Sequence, residues 1–310
     1  MSPKPFRFAV QTSTAPDGKA WREKARKIEG LGYSTLYIPD HFGDQWGPIV
    51  GMTIAAEATT TLNVGALVFD NDYRHPVVLA KEVATLDLVS EGRFIFGLGA
   101  GWMRTDYEQS GIPYDEPAVR VDRFEEAVAI YKQLFRDGTA TFEGEHYAIA
   151  GAVGEPRPRA GGPTLLIGGG GKRVLSHAAR EADIVGVNPN LKSGATDQAT
   201  AQSAVADMVD RRIGWIREAA GDRFDQLDLQ MLTFVVAIGG DRDEMARLMA
   251  PSMGLSEEQA REAPLALVGS VDEICDQLVE RRERWGLNDW VIHDPELGAF
   301  AEVVARLAGT

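Results

Sequence analysis

The chain has 310 residues, of which 44% are apolar and 25% charged, with a formal net charge of −14 and a single cysteine, Cys275. That balance suits a globular protein with a sizeable core, and the acidity argues against nucleic acid as the main partner. No apolar run reaches bilayer length, MSPKPFRFAV lacks the apolar stretch of a secretory signal, and one cysteine excludes intrachain disulfides and thiolate-rich metal sites, as expected of a cytoplasmic protein.

Apolar β-branched runs alternate with helical patterns along the chain. Phe6–Thr12 reads as strand 1 and Gly18–Gly30 as a helix closed by Gly32. Thr35–Pro39 is strand 2, followed by a helix over Val50–Thr60. Leu62–Phe69 is strand 3, and Pro76–Ser90 is a helix opened by proline and closed by Gly92. Arg93–Leu98 is strand 4, with a helix over Val119–Phe135. Thr164–Gly168 is strand 5, with a helix over Lys172–Glu181. Ile184–Val187 is strand 6, with one long helix over Thr196–Ala220. Leu227–Ile238 is strand 7, with helices at Asp241–Ala250 and Val271–Trp285. Trp290–His293 is strand 8, and Leu297–Leu307 is the last helix.

Eight strands in βα alternation are the arithmetic of a (β/α)₈ TIM barrel, here expected as one domain over residues 1–310. An open doubly wound sheet is the competing fold. Three stretches exceed ordinary connections: Trp102–Ala118, Gly138–Pro163 and Asn188–Asp197. Within the second, TATFEGEHYAI has the form of a β-hairpin around Glu143 and Gly144. Insertions after barrel strands build lids or substrate walls.

Asp40 and His41 end strand 2. A carboxylate beside an imidazole there either orients a polar ring and moves a proton, or is a solvated loop pair. Gly168, Gly169, Gly170 and Gly171 join strand 5 to a helix start, followed by Lys172 and Arg173. Such a loop wraps an anion with free N–H groups, unless it is simply a flexible turn. It lacks the spacing and ending of a Walker loop. In GLGAGW, Gly97, Gly99 and Gly101 fail the full dinucleotide spacing. They suit close approach of backbone to a flat ring, with Trp102 as one wall. Arg74 and His75 either face the pocket or are structural. His146, His177 and His293 lack metal-ligand spacing, and no G-x-S-x-G elbow is present.

The run YRHPVVLAKEVATLDLVSEGR, with PDHF, GLGAGW, FEGEHY and IGGGGKRVL, resembles the luciferase-like monooxygenase superfamily. It most resembles the branch of oxidoreductases that use the deazaflavin coenzyme F420. The resemblance covers Phe6 to about Val187, and VGSVDEICDQL more loosely. It implies a cofactor pocket at the strand C-termini. Asp40 would bind the cofactor, and His41 would be the catalytic acid or substrate orienter. A non-proline cis peptide at Leu67–Val68 would back the ring, with Asp70 as a polar contact. Ala100 and Gly101 would line the ring by backbone, Trp46 would form a wall, and Gly169, Gly170, Gly171 and Lys172 would hold the phosphate.

Where the sugar-phosphate dehydrogenase of this branch has a glutamate, the chain has Trp102. A proton-relay partner for His41 is therefore expected to be missing, which argues against a glucose-phosphate substrate. The expected activity is hydride transfer between the deazaflavin C5 and a small organic molecule. The alternatives are an FMN-dependent monooxygenase and a non-catalytic deazaflavin-binding protein. Apolar surface on helices 2 and 3 suggests a homodimer.

Overall fold

Eight parallel strands alternate with helices: Arg7–Gln11, Thr35–Ile38, Asn63–Ala66, Phe94–Gly99, Thr164–Gly169, Ile184–Val187, Asp228–Leu232 and Leu287–His293. They are called here the first to eighth barrel strands. One parallel sheet carries them and closes on itself through the pairing of the third with the fourth, so the fold is a (β/α)₈ barrel. The computed structural model describes residues 3–159 and 161–310. Met1 and Ser2 of the opening segment, and Ala160 of the second long insertion, lie outside them.

Strand-forming runs are near-continuously apolar because parallel strands are covered on both faces. Every residue of Thr35–Ile38, Phe94–Gly99 and Ile184–Val187 is buried. The helices Pro48–Ala58, Pro76–Val89 and Pro117–Arg136 each open on proline, whose missing N–H is no loss at that position. Val271–Trp285 starts at a capping box of Ser270 and Glu273 and stops at left-handed Gly286.

The chain clusters into two compact units. One runs to Thr12 and takes in Lys27–Thr35 and Ile167–Thr310. Within it the first strand pairs with the eighth from Arg7↔Asp289 to Gln11↔His293, and the seventh pairs with the sixth and eighth. Buried Gln230 donates to the Asp289 carboxylate at 3.0 Å, and Arg7 approaches the same oxygen at 3.3 Å. The other unit comprises Ser13–Arg26 and Leu36–Leu166. In it the third strand pairs with the fourth through Val64↔Phe94 and Gly65↔Ile95. After a break the pairing resumes as Phe69↔Leu98 and Asp70↔Gly99.

Several expected elements differ. Strand 3 does not run unbroken to Phe69: it is Asn63–Ala66 and then Phe69–Asp70, and the Leu67–Val68 peptide between them is cis. The seventh strand stops at Leu232. Thr233 still donates to Val291, whereas Phe234 and Val235 donate to Leu265, which starts a separate parallel pair of Val235–Ile238 with Ala266–Gly269. The single helix expected over Thr196–Ala220 is two, Gln198–Gln202 and Ala206–Ala220. The break falls where Arg212 Nη1 draws the Ser203 carbonyl to 2.6 Å and Ser203 Oγ accepts from the Asn190 amide. Short helices at Arg104–Ser110 and Glu257–Arg261 occupy stretches for which no helix is expected. The final helix is only Ala301–Leu307, preceded by a 3₁₀ turn at Asp294–Glu296. The hairpin is present as Thr139–Glu143 against Ala148–Val153.

Candidate active site

In the unit that holds Leu36–Leu166, strands three and four build a small apolar shelf. Leu67 and Val68 are half-exposed between buried Ala66 and buried Phe69. The Val68 side chain lies over Gly97 and Gly99, where an added Cβ would meet it at 3.3 and 2.7 Å. Gly99 leaves room for that side chain, while Gly97 makes room for the Ala66 carbonyl oxygen, which a Cβ there would strike at 1.9 Å. Ala100, Gly101 and Trp102 follow, all half-exposed. Gly101 has φ +75°, and a Cβ there would strike the Tyr107 hydroxyl at 1.9 Å.

Beside the shelf lies a dense carboxylate network. Asp40 is 5% exposed and turned inward. Arg74 grips it with two N–H bonds of 2.6 and 3.0 Å, and the Asp70 amide donates to it at 3.1 Å. This bidentate pair gives Arg74 a fixed structural partner. His75 instead caps the helix Pro76–Val89 by accepting from the Val77 amide. Asp70 is buried, and the Tyr107 hydroxyl donates toward it at 3.0 and 3.1 Å. Burial, helped by the charges of Asp72 and Asp40, pushes the Asp70 carboxyl up to about 7 against the hydrogen bonds it accepts. Arg123 neutralises Asp72 through bonds of 2.8 and 3.0 Å and also pairs with Asp115. Trp46 packs against Trp21, with ring centroids 5.1 Å apart.

The expectation that His41 lacks a relay partner is overturned. His41 Nδ1 lies 2.6 Å from Asp106 Oδ2. Asp106 sits on the helix Arg104–Ser110, one turn beyond Trp102, and is itself buried. Its carboxylate also accepts from the Tyr73 hydroxyl at 3.1 Å and from the Phe42 amide at 3.4 Å. Trp102 meets the His41 ring edge-on at 5.6 Å between centroids. Trp102 therefore flanks the imidazole, and the carboxylate comes from the next turn. Asp106 was missed because Trp102–Ala118 reads as an insertion. Gly111, which ends this helix in the left-handed conformation, was the available signal.

In the unit that holds Ile167–Thr310, the glycine loop joins the fifth barrel strand to the helix Lys172–Glu181. Gly171 is the N-cap of that helix, with no side-chain cap, and a Cβ on it would meet nothing within 4 Å. Gly169 and Gly170 answer a different need. A Cβ on Gly170 would fall 2.1 Å from the Pro189 carbonyl oxygen, and one on Gly169 would fall 2.6 Å from Val174. Lys172 is exposed, with its ammonium 3.5 Å from Glu218. Behind the loop lies Arg212, 1% exposed, donating to the Gly170 carbonyl at 3.1 Å. Its Nη2 is buried and makes no hydrogen bond, and burial pushes the guanidinium down to about 10. A buried cation behind the N-terminus of a helix suits an anion. Arg212 carried no sequence signal, since it lies on an ordinary helical face. Among the described residues no group of His, Cys, Asp and Glu could hold a metal ion.

A closed parallel barrel, with an imidazole–carboxylate pair and an apolar shelf at its strand ends, defines a barrel of the kind that works at its C-terminal face. The chain belongs to the luciferase-like monooxygenase family, whose model matches residues 4–289. A relative described as an F420-dependent glucose-6-phosphate dehydrogenase, from Amycolatopsis mediterranei, is 29% identical over 169 residues, or 52% of this chain and 50% of the relative. The chain thus matches about half the length of that relative. One of the same description from Mycolicibacterium gilvum is 27% identical over 92% of this chain and 82% of its own. The solved coenzyme F420-dependent tetrahydromethanopterin reductase of Methanopyrus kandleri superposes with a TM-score of 0.77 at 19% identity, covering 98% of each chain.

Proposed function

We propose that this protein is an oxidoreductase that passes a hydride between coenzyme F420 and a small organic substrate. The observation that carries the proposal is the His41–Asp106 pair set beside the half-exposed Leu67–Val68 shelf. The shelf fits a flat ring, because Gly99 lets Val68 lie close and Gly101 keeps backbone, not side chain, at its edge. Leu67, Val68, Ala100, Gly101 and Trp102 would hold the ring. Asp40 acts one step behind, by fixing Arg74 and the Asp70 amide. In the other unit, Gly169, Gly170, Gly171 and Lys172 offer a phosphate site.

Bound deazaflavin supplies a carbon that gives or takes the hydride. The protein supplies the proton and the orientation. Asp106 accepts from Nδ1 of His41, which fixes the tautomer and leaves Nε2 to hold or deliver a proton. Tyr73 and the Phe42 amide keep the Asp106 carboxylate in place. Asp70, poised to exchange a proton near neutrality, is a second group able to answer a charge change on the ring.

Turnover in the strict absence of oxygen tests the proposal. Hydride transfer runs to completion under those conditions. A monooxygenase using FMN stops, and a carrier without catalysis turns over in neither condition.

The protein would work as a homodimer in the cytoplasm. Support comes from the neighbouring helices Pro48–Ala58 and Pro76–Val89, which leave Val50 at 64%, Val78 at 56% and Leu88 at 40% exposure. No helix among the described residues is long and apolar enough to cross a membrane.

A further inference from the structure

The unit holding Ile167–Thr310 contains a cavity of about 360 Å³ that opens to solvent. The helix Arg242–Met253 presents Met245, Met249 and Met253 to it, four residues apart and so on one helical face. Ala201 of Gln198–Gln202 and Val235 and Val268 of the small parallel pair complete much of the wall. None of the residues assigned to proton transfer or to the glycine loop takes part. Phe234, another wall residue, meets the ring of His293 at 6.3 Å, and His293 ends the eighth barrel strand. The cavity therefore shares a wall with the C-terminal end of that strand.

Size and lining define the occupant. The volume falls within the range of small-molecule sites. Methionine side chains are flexible and polarisable, and they repack around apolar bodies of differing shape. The charged wall residues are Arg242, Arg261 and Asp197. Asp197 is already committed, because it accepts from the Thr200 amide at 2.9 Å and the Thr200 hydroxyl at 3.2 Å. Arg242 is steadied by its Nε, which donates to the Arg261 carbonyl at 2.8 Å. Arg261 is exposed, and its guanidinium pairs loosely with Asp243 at 3.7 Å. Two arginines thus border a mainly apolar chamber that also carries Thr196, Gln198, Thr200 and Ser252.

We propose that this cavity binds an apolar organic acid, with its hydrocarbon body among the three methionines and its carboxylate against Arg242 and Arg261. The site goes beyond the hydride-transfer proposal and does not depend on it, since its test reads binding alone.

The test is calorimetric titration of the intact protein with decanoate and with decanol. Decanoate binds one to one with a negative heat-capacity change, the mark of apolar burial. Decanol, lacking the charged head, binds roughly ten-fold more weakly or less well still. Arg261→Ala brings decanoate down toward decanol. Met249→Glu, which puts an unpaired carboxylate in the chamber, removes binding of both, while F420 affinity and the melting curve report whether the variant is folded. Ala246→Phe, which fills the chamber with an apolar ring, serves as the second variant and also removes binding. No decanoate binding to the wild type overturns the proposal, as does binding that survives both Met249→Glu and Ala246→Phe. Equal affinity for decanoate and decanol overturns the assignment of an acid.

Discussion

His41 Nδ1 lies 2.6 Å from Asp106 Oδ2, and the same oxygen accepts from the Tyr73 hydroxyl at 3.1 Å. An imidazole held at one nitrogen by a buried carboxylate has its other nitrogen aimed and available. Asp106→Ala is therefore expected to lower kcat by roughly 10² to 10⁴ while F420 affinity stays near wild type. Asp106→Asn leaves the fold intact and still loses most of the rate, because the amide favours the wrong tautomer. Combining Asp106→Ala with His41→Ala costs little more than His41→Ala alone. Steady-state kinetics and equilibrium titration together measure this, and fully additive losses would show that the two residues act separately.

Asp70 sets a pH dependence of stability. Its carboxyl sits at about 7 in the folded protein against an ordinary 3.8. Between those values the folded chain holds a proton that the unfolded chain has released. This group's contribution is fully present below about pH 4, declines as the pH rises, and reaches a penalty of roughly 4 kcal/mol above pH 7. Asp70→Asn removes this group's part of the slope. Urea denaturation at pH 5 and pH 8 should show a smaller fall in stability for the variant than for the wild type. An identical fall in both would remove Asp70 as its source.

Gly101 and Gly111 both have φ +75°, but only Gly101 is crowded. Alanine at Gly111 meets nothing within 4 Å and should cost only the left-handed backbone, about 1–2 kcal/mol. Alanine at Gly101 must also displace Tyr107 Oη at 1.9 Å and the Asp70 carboxylate at 2.7 Å. Its loss of stability should be clearly larger, with F420 binding lost as well. Thermal melts of the two variants side by side make the comparison, and equal losses would mean that the network yields easily.

Val50 and Val78 test the proposed dimer. Lysine at both positions places charge on the exposed faces of Pro48–Ala58 and Pro76–Val89. Sedimentation should find a dimeric wild type and a monomeric double variant. A wild type that sediments as a monomer contradicts the assignment.

The barrel is legible in the sequence because its strands are covered on both faces. Phe94–Gly99 and Ile184–Val187 are continuous apolar runs, and helices such as Pro76–Val89 carry proline at the start. Elements set by tertiary contacts are not legible. Gln198–Gln202 and Ala206–Ala220 separate where Arg212 holds the Ser203 carbonyl, a contact nine residues away along the chain. Asp40 and His41 stand out as a pair at a strand end, but their partners Arg74 and Asp106 arrive through space. Trp102 stands where a related enzyme has an acid, and that one place points to a missing carboxylate. One helical turn on, Asp106 supplies a carboxylate from a helix too short and too charged to show a periodic pattern.

Paired equilibrium titrations of the purified protein with F420 and with FMN test the central claim most directly. A shelf and phosphate loop serving deazaflavin hydride transfer predict that F420 binds at least about 100-fold more tightly, a difference of roughly 2.7 kcal/mol. FMN binding as tightly as F420, or more tightly, would contradict it.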